Sequence, residues 1–187
     1  MLTETKVIKA LIENKKLTIR EIAKIINADY KITHTAVKRL IEKKIVLKEI
    51  IGKSSLCYLC KYDVEVYKAE NERREEILKN KNLNQLYKEI LNIKTSLFMV
   101  ILFGSYAKKK ETKTSDIDLL FISNDTNFEN KVDNILSLIP LKTHVLVFTE
   151  EEFIKMKDSK ESNVVKEVIE NNIILYGIEN FYKLKNA

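Results

Sequence analysis

The chain has 187 residues, room for one ordinary domain or two small ones. Its 45% apolar and 32% charged residues suit a soluble globular protein with a real core. Charges spread through the first sixteen residues exclude a signal peptide, and the longest apolar run, 97–103, is too short to cross a bilayer. With two cysteines and no secretory signal, the expected compartment is the reducing cytoplasm, with no membrane partner.

The net charge of +6 is unevenly placed. Residues 1–62 hold 14 Lys+Arg against 6 Asp+Glu, whereas the remainder holds 19 against 21. A Lys-rich composition alone would spread the excess, so the first third points to a polyanionic partner.

In chain order, Val7, Ile8, Leu11 and Ile12 recur at helical spacing over 3–14. Thr18-Ile19-Arg20-Glu21 is a capping box that opens a second helix, with Ile22, Ala23, Ile25 and Ile26 on its apolar side. A third helix is expected from Thr33, stapled by Ile32 and Val37 and turning Leu40 and Ile41 inward. Two strand-like runs, 45–51 and 55–60, flank the short hairpin Gly52-Lys53-Ser54. This order, together with Thr18 to Ala23 and Ile32 to Val37, resembles the winged helix-turn-helix family over about residues 1–62. The resemblance implies double-stranded DNA as partner, with His34, Thr35, Lys38 and Arg39 on the third helix and Lys53 at the wing.

Residues 63–95 are highly charged and lack Gly and Pro, which predicts one or two connecting helices. They are also the candidate surface for a homodimer. From 96 to 187 the pattern changes to strands at 97–103, 117–123 and 143–148, helices at 127–139, 150–157 and 162–171, an apolar piece at 173–176 and a terminal turn at Gly177. Cys57 and Cys60 fall in a wing strand, and two cysteines with two distant histidines cannot complete a structural zinc site.

The stretch 102–119 carries the chemistry. Gly104, one of three glycines, lies where a buried strand meets Ser105, so backbone amides can approach a phosphate there. Asp116-Ile117-Asp118 heads an apolar strand, and alternation puts both carboxylates on one face. Two such neighbours repel unless a cation lies between them, and hard oxygen donors beside phosphates suit Mg²⁺.

Gly104-Ser105, ten residues, then Asp116-x-Asp118 and a hydrophobic strand resemble the nucleotidyltransferase superfamily that includes DNA polymerase beta, over about residues 80–178. The domain looks most like the minimal nucleotidyltransferases, some of which act as antitoxins beside HEPN-domain partners. The resemblance implies that Gly104 and Ser105 hold the triphosphate of a nucleotide, ATP being expected, with Lys108 also touching phosphate. It implies that Asp116 and Asp118 bind Mg²⁺. The sequence departs from the family at Lys109, where glycine is common, and on the next strand, where a third carboxylate is usual. His144 is expected in that position, and an imidazole can take a proton near neutral pH.

The expected fold class is therefore α+β, a winged helix-turn-helix followed by a small nucleotidyltransferase-like mixed sheet with flanking helices. Two functions stay open. One is a transferase moving a nucleoside monophosphate to a protein or RNA hydroxyl. The other is a DNA-binding regulator whose second domain has lost its chemistry and binds nucleotide or a partner protein.

Overall fold

Local rules account for most of the helices before any distant contact is considered. The computed structural model describes residues 2–52, 54–93, 95, 97–112 and 114–187. It divides into two compact units, Met1–Arg73 and Arg74–Ala187.

The first unit runs α1 (Thr3–Asn14), β1 (Lys16–Thr18), α2 (Ile19–Ile25), α3 (Tyr30–Glu42), β2 (Val46–Ile51), β3 (Ser54–Leu59) and the start of α4 (Val64–Ile77). Val7, Ile8 and Leu11 bury the apolar stripe of α1. At α2 the capping box forms as expected: the Thr18 hydroxyl accepts from the Glu21 amide, and Glu21 accepts from the Thr18 amide at 2.7 Å. The three-stranded antiparallel sheet is ordered β1-β3-β2, and with the three helices it makes a winged helix-turn-helix. Strand β1 was not expected; it is three residues long and exists through its pairing to β3, with Leu17 opposite Cys57.

The start of α3 corrects the sequence reading. The cap is Asp29, whose carboxylate accepts from the Lys31 amide at 2.7 Å, and not Thr33. Aspartate caps better than threonine. Thr33 lies one turn inside, fully buried in line with Ala36, Val37 and Leu40, and its hydroxyl donates to the Asp29 carbonyl. Helix α4 buries Val66, Ala69, Glu70 and Arg73, spaced three and four apart, and Arg73 donates to Glu70 at 2.6 Å.

The second unit runs from the end of α4 through α5 (Lys81–Ile90), β4 (Met99–Phe103), α6 (Gly104–Ala107), β5 (Ile117–Ile122), α7 (Phe128–Leu136), β6 (Thr143–Phe148), α8 (Glu150–Asp158), α9 (Val164–Glu170), β7 (Ile173–Tyr176) and α10 (Ile178–Asn186). Its sheet order is β6-β5-β4-β7, with β5 and β6 parallel and the other neighbours antiparallel. Because α7 connects the two parallel strands, this is a crossover unit set into a mixed sheet. Leu83, Leu86 and Ile90 of α5 pack in one core with Val100, Leu102, Leu119 and Phe121.

Several boundaries moved for packing reasons. Strand β4 starts at Met99 because Leu97 is exposed and its carbonyl accepts from the Ser123 hydroxyl. Helix α7 stops at Leu136, short of the expected 139, and leaves Leu138 exposed. Gly177 does not form a terminal turn. It takes φ +79° and starts α10, which buries Ile178, Phe181, Tyr182 and Leu184. Among the described residues, no helix is long and apolar enough to cross a membrane.

Candidate active site

The central strands bring the chemically distinctive residues to one end of the second sheet. Strand β4 is buried along its whole length and delivers Gly104 at its end, where the short helix α6 begins. Antiparallel pairing places Phe103 opposite Asp118, so the glycine corner and the second aspartate are neighbours by register. Gly104 takes φ +67°, a conformation that L side chains resist. A Cβ at this position would fall on the Asp118 carboxylate. Glycine is thus required twice here, for its backbone and for the room it leaves.

Asp118 is half-buried in β5, and Asp116, just before the strand, is exposed. Parallel pairing of β5 with β6 sets His144 opposite Asp118. The two side chains meet, with His144 Nδ1 3.2 Å from Asp118 Oδ1 and the other carboxylate oxygen turned toward Gly104. Ser105, next along α6, is half-buried, and no side-chain hydrogen bond engages it among the described residues. Gly104, Asp118 and His144 are therefore brought together, with Ser105 and Asp116 adjacent along the chain.

Lys108 sits at the end of α6, but its ammonium is held 2.7 Å from Glu167 of α9. The pair opens onto a cleft of about 560 Å³ that also takes in Lys160, Asn163, Lys166 and Asn171. Sequence reasoning missed Glu167, because 59 residues separate it from Lys108 and no local pattern links them. Lys109, where the family's glycine is common, adopts φ +54° without being one. The loop thus keeps a left-handed turn at some strain.

A metal would have few donors from the chain itself. Among the described residues, no three His, Cys, Asp or Glu side chains form a group able to hold an ion. What is present is the Asp118–His144 pair with Asp116 two residues away. One or two carboxylates are what a Mg²⁺-type ion takes from a protein when phosphate oxygens and water supply the rest. The residues fit a cation that arrives with its nucleotide.

In the first unit, His34, Thr35, Lys38 and Arg39 are all exposed on α3. Thr35 donates to the Lys31 carbonyl of its own helix, and Arg39 lies 3.7 Å from Glu4. Lys53 lies outside the described residues. Because α3 begins at Tyr30, its first exposed side chains are Tyr30 and Lys31, residues that precede the expected start at Thr33. Cys57 is buried, which pushes its thiol up, and Cys60 is exposed; both are free.

A mixed sheet with a glycine-serine corner pressed against an Asp-x-Asp strand defines a nucleotidyltransferase-type domain. Residues 84–180 match the family described as Polymerase beta, Nucleotidyltransferase, and the chain belongs to that family. It is 32% identical over 97 residues to a Methanocaldococcus jannaschii protein named "Putative protein adenylyltransferase MJ1547", a match spanning 49% of this chain and 69% of that one. Among solved structures, it is similar to TrmBL2, described as an archaeal chromatin protein with a novel mode of DNA binding. That match has 18% identity and a TM-score of 0.31, and it covers 86% of this chain and 70% of the other. A similarity that low does not define a shared fold.

Proposed function

We propose that this protein transfers AMP from ATP, with Mg²⁺ or a similar divalent ion, to a hydroxyl group on a protein, and that its first unit binds double-stranded DNA. The observation that carries the transfer reading is the seat of Asp118, its carboxylate pressed to Gly104 and met by His144. The acceptor class follows from a relative named as a protein adenylyltransferase; an RNA hydroxyl is the competing acceptor. The free thiols of Cys57 and Cys60 suit a reducing cytoplasm.

Each residue has a task in this reading. Gly104 and Ser105 form the corner that receives the triphosphate, with backbone amides facing the anion. Lys108 leaves Glu167 for phosphate oxygens as the nucleotide enters, exchanging one ion pair for another. Asp116 and Asp118 would hold the cation, which neutralises the phosphates and helps to align the α-phosphate for in-line attack. The acceptor hydroxyl then gives up its proton to solvent as its oxygen bonds to the α-phosphorus, the α–β phosphoanhydride bond breaks, and pyrophosphate leaves.

A second reading has an observation of its own. On β6, the position beside Asp118 carries an imidazole and not an acid, which removes a usual activator of the attacking hydroxyl. Under that reading the protein binds nucleotide without turnover and acts as a DNA-bound regulator. The test is transfer of label from α-³²P-ATP to cellular protein in Mg²⁺, with Asp116→Ala/Asp118→Ala alongside. Labelled acceptor that disappears in the double variant supports the transferase. ATP binding with no labelled product in protein or RNA supports the regulator. A HEPN-domain protein and a second copy of the chain are proposed partners, tested by co-purification and by light scattering.

The DNA reading is supported by the winged helix-turn-helix and the excess of 14 basic over 6 acidic residues within 1–62. His34, Thr35 and Lys38 on α3 are the proposed contacts, with Tyr30 and Lys31 added at its first turn. Arg39 joins them once released from Glu4, and Lys53 is the further contact that the winged-helix resemblance implies.

A further inference from the structure

We propose that His144 is a cation ligand and tunes the site toward Mn²⁺ over Mg²⁺. This rests on the reading above, in which Asp118 holds the divalent ion. The donor atoms are already spaced for a shared ion. Two donor atoms at about 2.1 Å from one octahedral ion, on adjacent corners, stand about 3 Å apart. His144 Nδ1 and Asp118 Oδ1 stand 3.2 Å apart, so the pair already has the bite of a chelate.

The sheet itself sets the pair. Parallel register sets His144 directly opposite Asp118, on the strand next to it, so backbone pairing in the sheet holds the spacing and not a mobile loop. The other carboxylate oxygen is directed at Gly104, which leaves the histidine-facing oxygen as the one to share. Without an ion, the contact is a hydrogen bond from Nδ1–H to the carboxylate. A cation takes that place once the ring's proton sits on Nε2 instead, exchanged through solvent, so that Nδ1 of the neutral imidazole presents its lone pair to the ion.

Donor chemistry then separates the two ions. Carboxylate, water and phosphate oxygens suit Mg²⁺ and Mn²⁺ alike, whereas an imidazole nitrogen favours transition metals. Mg²⁺ holds its water tightly and gains little from nitrogen. Mn²⁺ keeps the octahedral habit that a nucleotide's phosphates require and accepts nitrogen more readily. A site with Asp118 and His144 therefore discriminates between two ions that an all-oxygen set treats nearly alike. It also gives His144 a task other than that of free base, since the nitrogen facing the site is already committed to Asp118.

The experiment is Mn²⁺ electron paramagnetic resonance on the full chain with a non-hydrolysable ATP analogue, read as Mn²⁺ bound and as Mg²⁺ needed to displace it. Protein carrying ¹⁵N-histidine supplies a second readout; the chain has two histidines, and His34 lies in the other unit. We expect a ¹⁵N coupling to bound Mn²⁺ that His144→Ala abolishes and His34→Ala leaves. His144→Asp should lower the preference for Mn²⁺ over Mg²⁺ by about tenfold, on the scale of ligand-shell substitutions. If Asp116→Ala/Asp118→Ala loses Mn²⁺ while His144→Asp keeps the wild-type preference and no ¹⁵N coupling is seen, His144 is no ligand and the inference falls alone. If the double aspartate variant holds Mn²⁺ like the wild type, the nucleotide site itself is misassigned and both readings fall.

Discussion

Substituting alanine at Gly104 tests the central geometry, because a second glycine supplies its control. Gly104 and Gly52 share nearly the same φ, +67° and +59°, so alanine at either position costs the left-handed strain of about 1–2 kcal/mol. Their surroundings differ. A Cβ at Gly52 meets nothing within 4 Å, whereas one at Gly104 stands 2.8 Å from Asp118 Cγ and 3.1 Å from Asp118 Cβ. Carbon atoms rest at about 3.5–4.0 Å, so the Asp118 carboxylate must retreat by roughly 1 Å. Equilibrium urea unfolding should show a loss of about 1–2 kcal/mol for Gly52→Ala, and more than that for Gly104→Ala. The two should separate in activity. A displacement of about 1 Å in a reacting group costs on the order of a hundredfold in rate, so Gly104→Ala should lose about that factor in AMP transfer while Gly52→Ala keeps it. Were Gly104→Ala to unfold like Gly52→Ala and transfer like the wild type, Asp118 would not be seated where its function is argued from.

Thr149 caps α8 in a reciprocal box with Glu152, and Thr149→Ala should cost about 1 kcal/mol in urea unfolding, while Thr149→Ser should restore most of it. Asp125 accepts from Lys131 first, then from the Asn127 amide and the Thr95 hydroxyl, which together hold its carboxyl down at about 2. A depressed carboxylate stabilises the fold above its unfolded value of about 4, and that contribution fades as pH falls toward about 2. Asp125→Asn should therefore flatten the loss of stability across that window, measured by thermal melts at stepped pH; an unchanged pH profile would refute the assignment. For the DNA reading, Lys38→Ala/Arg39→Ala should weaken duplex binding and lower the salt-dependence slope by about 1 for each phosphate left without its cationic side chain. Equal gel-shift affinity across a salt series would remove α3 from the interface.

What could be read along the chain was whatever neighbouring residues settle among themselves. Thr18 and Glu21 cap a helix from three positions apart, and 143–148 reads as a strand from its own Thr, Val and Phe content. Gly104-Ser105 and Asp116-x-Asp118 stand out for the same reason, as compact groups whose spacing resembles that of the family. Competition between nearby signals misled at α3, where Asp29 caps and Thr33 is drawn into the core beside Val37 and Leu40. Strand β1 and helix α10 were missed because each depends on distant surface. Leu17 needs Cys57 of β3, forty positions on, and α10 needs somewhere to bury Phe181 and Tyr182.

Tertiary structure alone decided the relations that make a site. Nothing local says that His144 stands opposite Asp118, since their partnership is a matter of parallel register across a crossover helix. Likewise, Lys108 finds Glu167 only because α9 is folded back beside α6, and the Asp118 carboxylate meets Gly104 only because β4 and β5 pair with Phe103 opposite Asp118. Short-range hydrogen bonds and side-chain periodicity are written into consecutive residues, whereas register between strands is set by the core that every strand shares.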